Sequence, residues 1–261
     1  MERDTGHLRV FWQPGCTSCL AAKQFLASCG LEFESINVRE RPQAMQMLQE
    51  LGARSVPVVS RGSEWVYAQE RRDLAAFLGV AVPAVALAPA VLAQRIAAQL
   101  QATAQFTREL PATIWEQSIV GRTDRTVIDI PFHIAQIAAG FLDAATDGEL
   151  TYQHFERRPC GSQRAATAVV SEIHAVHTRF SAWRAEYSAG NGAKALRTYY
   201  GAQPLASVME RTAWHMAQHA RQLEHVLVSH AVQPSSPLGD RELAGLPLPE
   251  GVWDAEIGSL G

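Results

Sequence analysis

The chain is short of several things, and each shortage narrows what it can be. It has no apolar run of the roughly 18 residues that a membrane-spanning helix needs, so no membrane association is expected. Its start, Met1-Glu2-Arg3-Asp4, is charged and is not followed by the apolar core of an export signal, which predicts a cytoplasmic protein. There is no basic excess: the formal net charge is −3, and nucleic acid is not expected as a partner. Only four cysteines occur, Cys16, Cys19, Cys29 and Cys160, and beyond the first pair they are too scattered for a secreted disulfide framework. No internal repeat is visible. What the chain has in quantity is apolar residues, 47% of 261 positions, enough to build two cores.

Residues 8–79 alternate between two periodicities. Leu8 to Trp12 and Phe33 to Val38 have strand character, and Val56 to Ser60 with Trp65 to Tyr67 predicts a hairpin around Arg61-Gly62-Ser63. Residues 17–29, Gln43 to Leu51 and Arg72 to Leu78 are helical in pattern and are stopped by Gly30, Gly52 and Gly79. The resulting β-α-β-α-β-β-α order is that of a thioredoxin-type fold. Residues 80–89 are uncharged and carry two prolines, as a packed linker would. From Ala90 onward the pattern is helical. Four amphipathic stretches, Ala90 to Glu109, Thr126 to about Ala145, Ser162 to Tyr187 and Pro204 to about His230, predict a four-helix bundle over 90–232. Thr126 and Asp129 are spaced as a capping box, and Pro204 suits a first helical position. Residues 233–261 read as an extended tail. The fold class is therefore α+β, with an N-terminal mixed domain over 1–79 and an all-α second domain.

Cys16-Thr-Ser-Cys19 lies between the first strand and the first helix. A thiol at a helix start is stabilised as thiolate by the partial positive charge there, which marks Cys16 as the attacking sulfur. Cys19, one turn on, is placed to resolve a mixed disulfide. A CxxC can also be half of a zinc site, but this domain has no second CxxC or nearby Cys/His pair to complete one. Ser55-Val56-Pro57 precedes a strand, and Pro57 is a candidate for a cis peptide beside the thiols. Cys29 reads as a small buried thiol. Cys160 follows Arg157-Arg158-Pro159 and reads as a loop cysteine.

With Gln13-Pro14-Gly15-Cys16-Thr17-Ser18-Cys19 and Ser55-Val56-Pro57, residues 8–79 resemble a glutaredoxin. The resemblance implies redox-active Cys16 and Cys19, a thiol substrate received along Val56 and Pro57, and glutathione as reductant or part of the substrate. It also makes Arg39 a candidate partner for a glutathione carboxylate. The chain departs from the glutathione-binding pattern at Trp12-Gln13, where a lysine is usual, and at Tyr67-Ala68-Gln69-Glu70-Arg71, where a Gly-Gly-x-Asp turn is usual. Those departures leave reduction by a thioredoxin-type reductase, or service to another small thiol, open.

Nine histidines are present, and three fall on inward helix faces. His215 and His219 are four apart on the stripe of Leu205, Val208, Thr212, Leu223 and Val226, and His133 lies beside Ile130, Ile137 and Phe141. Buried imidazoles need partners, and three of them can share a divalent metal, zinc first, with nickel or iron also acceptable. His174 and His177 flank the core stripe of the third helix, His225 points away, and His230 is too far along. His154 sits in a connection and His7 in the leading segment, and neither is assigned a role.

Ile130-Pro-Phe-His133-Ile-Ala135 together with Arg211-Thr-Ala-Trp-His215-Met-Ala-Gln-His219-Ala-Arg-Gln-Leu223 resembles the DinB-like metal-binding bundles. That resemblance covers about 90–230. It implies metal ligation by His133, His215 and His219, a low-molecular-weight thiol as co-substrate for S-transfer or isomerisation, and pairing into homodimers. The combined expectation is an enzyme of thiol metabolism acting on a small thiol and an electrophile or disulfide. A plain glutaredoxin-type oxidoreductase with a docking or dimerising bundle, and a redox or metal sensor without turnover, are the competing readings.

Overall fold

The computed structural model describes residues 7–81, 87–187 and 192–254. They form two compact units, one built from 7–81 with 249–254, the other from the described residues of 87–248. Residues 82–86, in the middle of the expected linker, lie outside the described residues.

The first unit is a four-stranded sheet in the order β2-β1-β3-β4, made of β1 (Leu8–Trp12), β2 (Glu34–Asn37), β3 (Val58–Arg61) and β4 (Glu64–Tyr67). β1 pairs parallel with β2 and antiparallel with β3, and β3 pairs antiparallel with β4. Successive strand side chains face opposite sides of a sheet, and β1 uses both sides. Leu8 and Val10 pack with Ala22, Phe25 and Leu26 of α1 (Thr17–Ser28) and with Leu74, Ala75 and Leu78 of α3 (Arg71–Leu78). Phe11, next after Val10, faces the other side and packs there with Ala44 and Leu48 of α2 (Pro42–Glu50) and with Ile36. This is a thioredoxin-like layering, and it sets the end of β1 and the start of α1 at one edge of the core.

The second unit is helical. α4 (Pro89–Glu109) and α5 (Asp129–Asp147) each pack against both α6 (Ala166–Glu186) and α7 (Leu205–Ser229). The core holds Ile96, Leu100, Ile134, Phe141, Ile173, Phe180, Met216 and Leu223, all nearly or fully excluded from solvent. Phe141 meets Trp183 edge-on at 5.0 Å between ring centres, and edge-to-face pairs of this kind add to the stabilisation from burial.

Several boundaries differ from those read in the sequence. α5 begins at Asp129 rather than Thr126, yet the capping contact forms in part. The Thr126 backbone N–H donates to the Asp129 carboxylate at 2.8 Å. Pro204 is not the first residue of α7 but the last of a strand. Its ψ of 144° is extended, it pairs with Ala195, and the Leu205 N–H donates to the Lys194 carbonyl at 2.8 Å, so the helix starts one residue later. α6 starts at Ala166 because Ala165 is extended, and a single 3-10 turn, Gly161–Arg164, precedes it. Small strands not expected from the sequence brace the connections: β5 (Ser118–Ile119) with β6 (Arg122–Thr126), and β7 (Glu149–Leu150) with β8 (Ala195–Thr198) and β9 (Gly201–Pro204).

The C-terminal segment is also not one extended tail. Residues Asp240–Leu243 form a short helix, α8, held on α4. Arg95 donates to the Arg241 and Ala244 carbonyls at 2.8 and 3.2 Å, and the buried Gln99 amide donates to the Glu242 carbonyl at 2.9 Å. Residues 249–254 instead belong to the first unit, where the Asp254 carboxylate meets the Lys23 ammonium at 2.8 Å with both side chains largely buried. No helix among the described residues is long and apolar enough to cross a membrane.

Candidate functional site

In the first unit the chemistry gathers where β1 hands over to α1. Cys16 is the N-cap of α1, extended at φ −87° and ψ 107°, and its sulfur accepts the Cys19 N–H at 3.1 Å. The first turn of that helix holds no acidic residue to offset its positive end. Cys16 and Cys19 are joined as a disulfide, with Cα atoms 5.2 Å apart. The two sulfurs are unequal in access: Cys16 is half-buried, whereas Cys19 is sealed against Trp12. Val56 packs against the same cluster. The Val56–Pro57 peptide is cis. The Val56 carbonyl accepts from the Gln69 amide at 3.0 Å, and the Pro57 carbonyl from the Ala68 N–H at 3.0 Å, which ties this loop to the residues following β4. Arg39 is exposed and donates to the Gln13 side chain at 3.3 Å, so it stands near the residues leading into the CxxC. The other two cysteines are free thiols. Cys29 packs partly buried at the end of α1, and Cys160 is exposed.

The comparisons with known proteins converge on this unit. The profile of the glutaredoxin family matches residues 8–66, from the start of β1 into β4. Over 55 residues the chain is 34% identical to the glutaredoxin-like protein NrdH of Escherichia coli, a stretch covering 21% of this chain and 68% of that protein. With the protein of the same name from Salmonella typhimurium it is 36% identical over the same coverage. The chain belongs to the glutaredoxin family. No solved structure matches it. The glutaredoxin part is thus a redox domain built on the Cys16–Cys19 pair, and the helical unit lies outside the matched residues.

That helical unit of the glutaredoxin-family chain brings together three histidines. His133 comes from α5, and His215 and His219 come from consecutive turns of α7. One ring nitrogen from each lies within 4.8 Å of the others, and among the described residues this is the one such grouping of His, Cys or carboxylate side chains. Ring centres are 5.7 Å apart for His133 and His215, 5.0 Å for His133 and His219, and 5.0 Å for His215 and His219. Three imidazoles on a tetrahedral ion at about 2.0–2.1 Å would have nitrogens about 3.3 Å apart. The nitrogens, within 4.8 Å of one another, exceed that spacing by at most about 1.5 Å.

All three rings are held neutral. Burial pushes His133 well below the ordinary imidazole value, and His219 and the Arg125 guanidinium push it further, while the Gln136 amide pulls weakly the other way. His215 is lowered as strongly, by burial first and then by Arg211 and its two histidine neighbours. His219 falls to about 4, again chiefly by burial, although its bond to Gln222 opposes the shift. Neutral imidazole is the form that ligates a metal. Arg211, buried and one turn before His215, donates to the Tyr199 hydroxyl at 3.0 Å. Phe155 meets His133 edge-on at 6.1 Å and Tyr199 at 6.1 Å, closing an aromatic wall beside the histidines. The segment carrying Phe155 can approach α5 closely because residue 140 is glycine: a Cβ there would stand 3.1 Å from the His154 side chain.

Four of the remaining histidines have other engagements. His174 meets Arg108, His177 meets Gln101, His154 meets Thr151, and His230 meets Gln117. Sequence reasoning did not single out Arg125, Arg211, Phe155 or Tyr199, because they reach the histidines from β6, from an arginine inside an otherwise apolar stripe and from two connecting segments. It also passed over Gln136 and Gln222, although each stands three residues after a candidate ligand.

Proposed function

We propose that this chain is an enzyme of thiol metabolism in which a CxxC thiol–disulfide exchange site is joined to a metal-dependent site for a low-molecular-weight thiol. The observation that carries the redox half is the unequal access of the pair, a half-buried Cys16 at a helix start backed by a sealed Cys19. In the reduced form the Cys16 thiolate attacks one sulfur of a substrate disulfide, forms a mixed disulfide and releases the other sulfur as a thiolate that takes up a proton. Cys19, deprotonated, then attacks the Cys16 sulfur, expels the second substrate thiol and closes the Cys16–Cys19 bond. The two electrons delivered are restored by a dithiol or thiol reductant, a glutathione-type thiol or a thioredoxin-type reductase. Val56 and Pro57 line the approach to Cys16, and Arg39 is positioned for a substrate carboxylate.

In the helical unit, which we read as a DinB-like bundle, His133, His215 and His219 hold a divalent ion, zinc before nickel or iron. The neutral donor set supports this choice. Such an ion supplies one thing when bound, a coordinated thiol deprotonated at neutral pH. The chain's own residues do the rest. The aromatic wall of Phe155 and Tyr199 limits water, and Arg125 and Arg211 favour an anionic occupant. The tests separate the halves. Cys16→Ser should abolish reduction of a model disulfide with metal content unchanged. His133→Ala and His215→Ala should each reduce bound zinc from one equivalent to near none while disulfide reduction persists. Disulfide reduction surviving in Cys16→Ser would refute the first half. Metal content unmoved by either histidine variant would refute the second.

A further inference from the structure

The three histidines share a spacing that the metal reading does not use. Each is followed three residues later by glutamine: His133 by Gln136, His215 by Gln218 and His219 by Gln222. Residues three apart on a helix are neighbours on its surface. We propose that Gln136 and Gln222 are positioning residues: each amide oxygen takes the Nδ1–H of the histidine one turn before it and so leaves that ring's Nε2 lone pair free to ligate. The inference rests on the reading of the trio as a metal site.

On α7 the contact is formed. His219 Nδ1 stands 2.8 Å from Gln222 Oε1, with both side chains buried. An amide oxygen only accepts, so the proton must be on Nδ1. On α5 the amide orientation follows from a second bond. The Gln136 NH2 donates to the Arg157 carbonyl at 2.7 Å, and a carbonyl can accept only from the nitrogen end. Gln136 Oε1 is therefore the free end, and it is buried without a hydrogen-bond partner. His133 Nδ1, one turn earlier, is also buried without one. A buried acceptor and a buried donor left apart are both destabilising, and pairing them removes both penalties. His215 is outside this device, because the Gln218 oxygen accepts from Arg221 at 2.7 Å. Glutamine differs from the carboxylate often found behind a ligating histidine. It fixes the tautomer without adding negative charge, so the site keeps its full attraction for an anionic occupant such as a thiolate.

The test uses the full chain and two readouts. Long-range proton–nitrogen NMR on metal-free protein at pH 7 should show His219 protonated at Nδ1 in the wild type and in Gln222→Glu, and should lose that signature in Gln222→Leu. Zinc affinity by chelator competition should fall about 10–100-fold in Gln222→Leu and in Gln136→Leu, and should be retained in Gln222→Glu. Helix content and melting temperature confirm that each variant folds. Wild-type protein that takes up no zinc refutes the metal reading and this inference with it. Wild type that binds zinc while both Leu variants bind it equally well, or an Nδ1 of His219 that carries no proton, refutes the inference alone.

Discussion

Acidifying the metal-free protein from pH 7 to pH 4 should destabilise the helical unit through its buried histidines. His219 has its pKa lowered from 6.5 to about 4, and it is 7% exposed, so solvent screening discounts the effect little. In the unfolded chain the same ring titrates near 6.5. Between those values the unfolded state binds the proton that the folded state refuses. The stabilisation is thus fully present above the unfolded pKa and is lost as pH falls toward the folded one. From His219 alone the loss is about 2 kcal/mol at pH 5 and about 3 kcal/mol at pH 4. His133 and His215 are lowered in the same direction, chiefly by burial, and steepen the fall. The assay is urea denaturation at pH 7, 5 and 4 in the presence of a chelator, followed by far-UV ellipticity. Carboxylates also titrate near pH 4, so the comparison that decides is with His219→Gln, which should remove about 3 kcal/mol of the acid-induced loss. Equal losses in wild type and His219→Gln would mean that the ring is not held neutral by burial.

Two further outcomes concern packing. Asp254→Asn leaves the Lys23 ammonium, which also sits over the Trp12 ring at 3.8 Å, without its buried counter-charge at 2.8 Å. It should cost the redox unit about 2–3 kcal/mol by chemical denaturation, and a change under about 0.5 kcal/mol would show that the pair contributes nothing net. Gly245→Ala and Gly148→Ala form a contrast, since both positions have a left-handed backbone, at φ 80° and 84°. Only Gly245 has a neighbour in the way, Leu87 at 2.8 Å from the new Cβ. Both variants should lose about 1–2 kcal/mol to backbone strain, with a further lowering of the melting temperature for Gly245→Ala alone. Equal melting temperatures would show that Leu87 yields freely.

Much of the glutaredoxin unit was readable because its signals are local. β1 ends in the strand formers Val10, Phe11 and Trp12, Cys16 follows it within four residues, and the glycines that stop the helices lie next to them in sequence. The long helices were readable for the same reason, from stripes such as Val169, Ile173, Val176 and Phe180. The short strands were not. Arg122-Thr-Asp-Arg-Thr126 shows no apolar alternation, and its pairing with Ser118–Ile119 is decided by the connection between two helices rather than by its own composition.

The amino-acid order by itself determined where a reactive thiol meets a helix start, and which histidines share a face of one helix, because both follow from contacts within a few residues along the chain. Only the tertiary structure decided that His133, some eighty positions before His215, closes on it to 5.7 Å. Only tertiary packing buried Cys19 while leaving Cys16 within reach, and it sent residues 240–243 to α4 but 249–254 to the redox unit. The physical reason is that burial and ligand convergence depend on which helices pack together. That packing is a collective result of the apolar faces of the whole unit and is not encoded in any one segment.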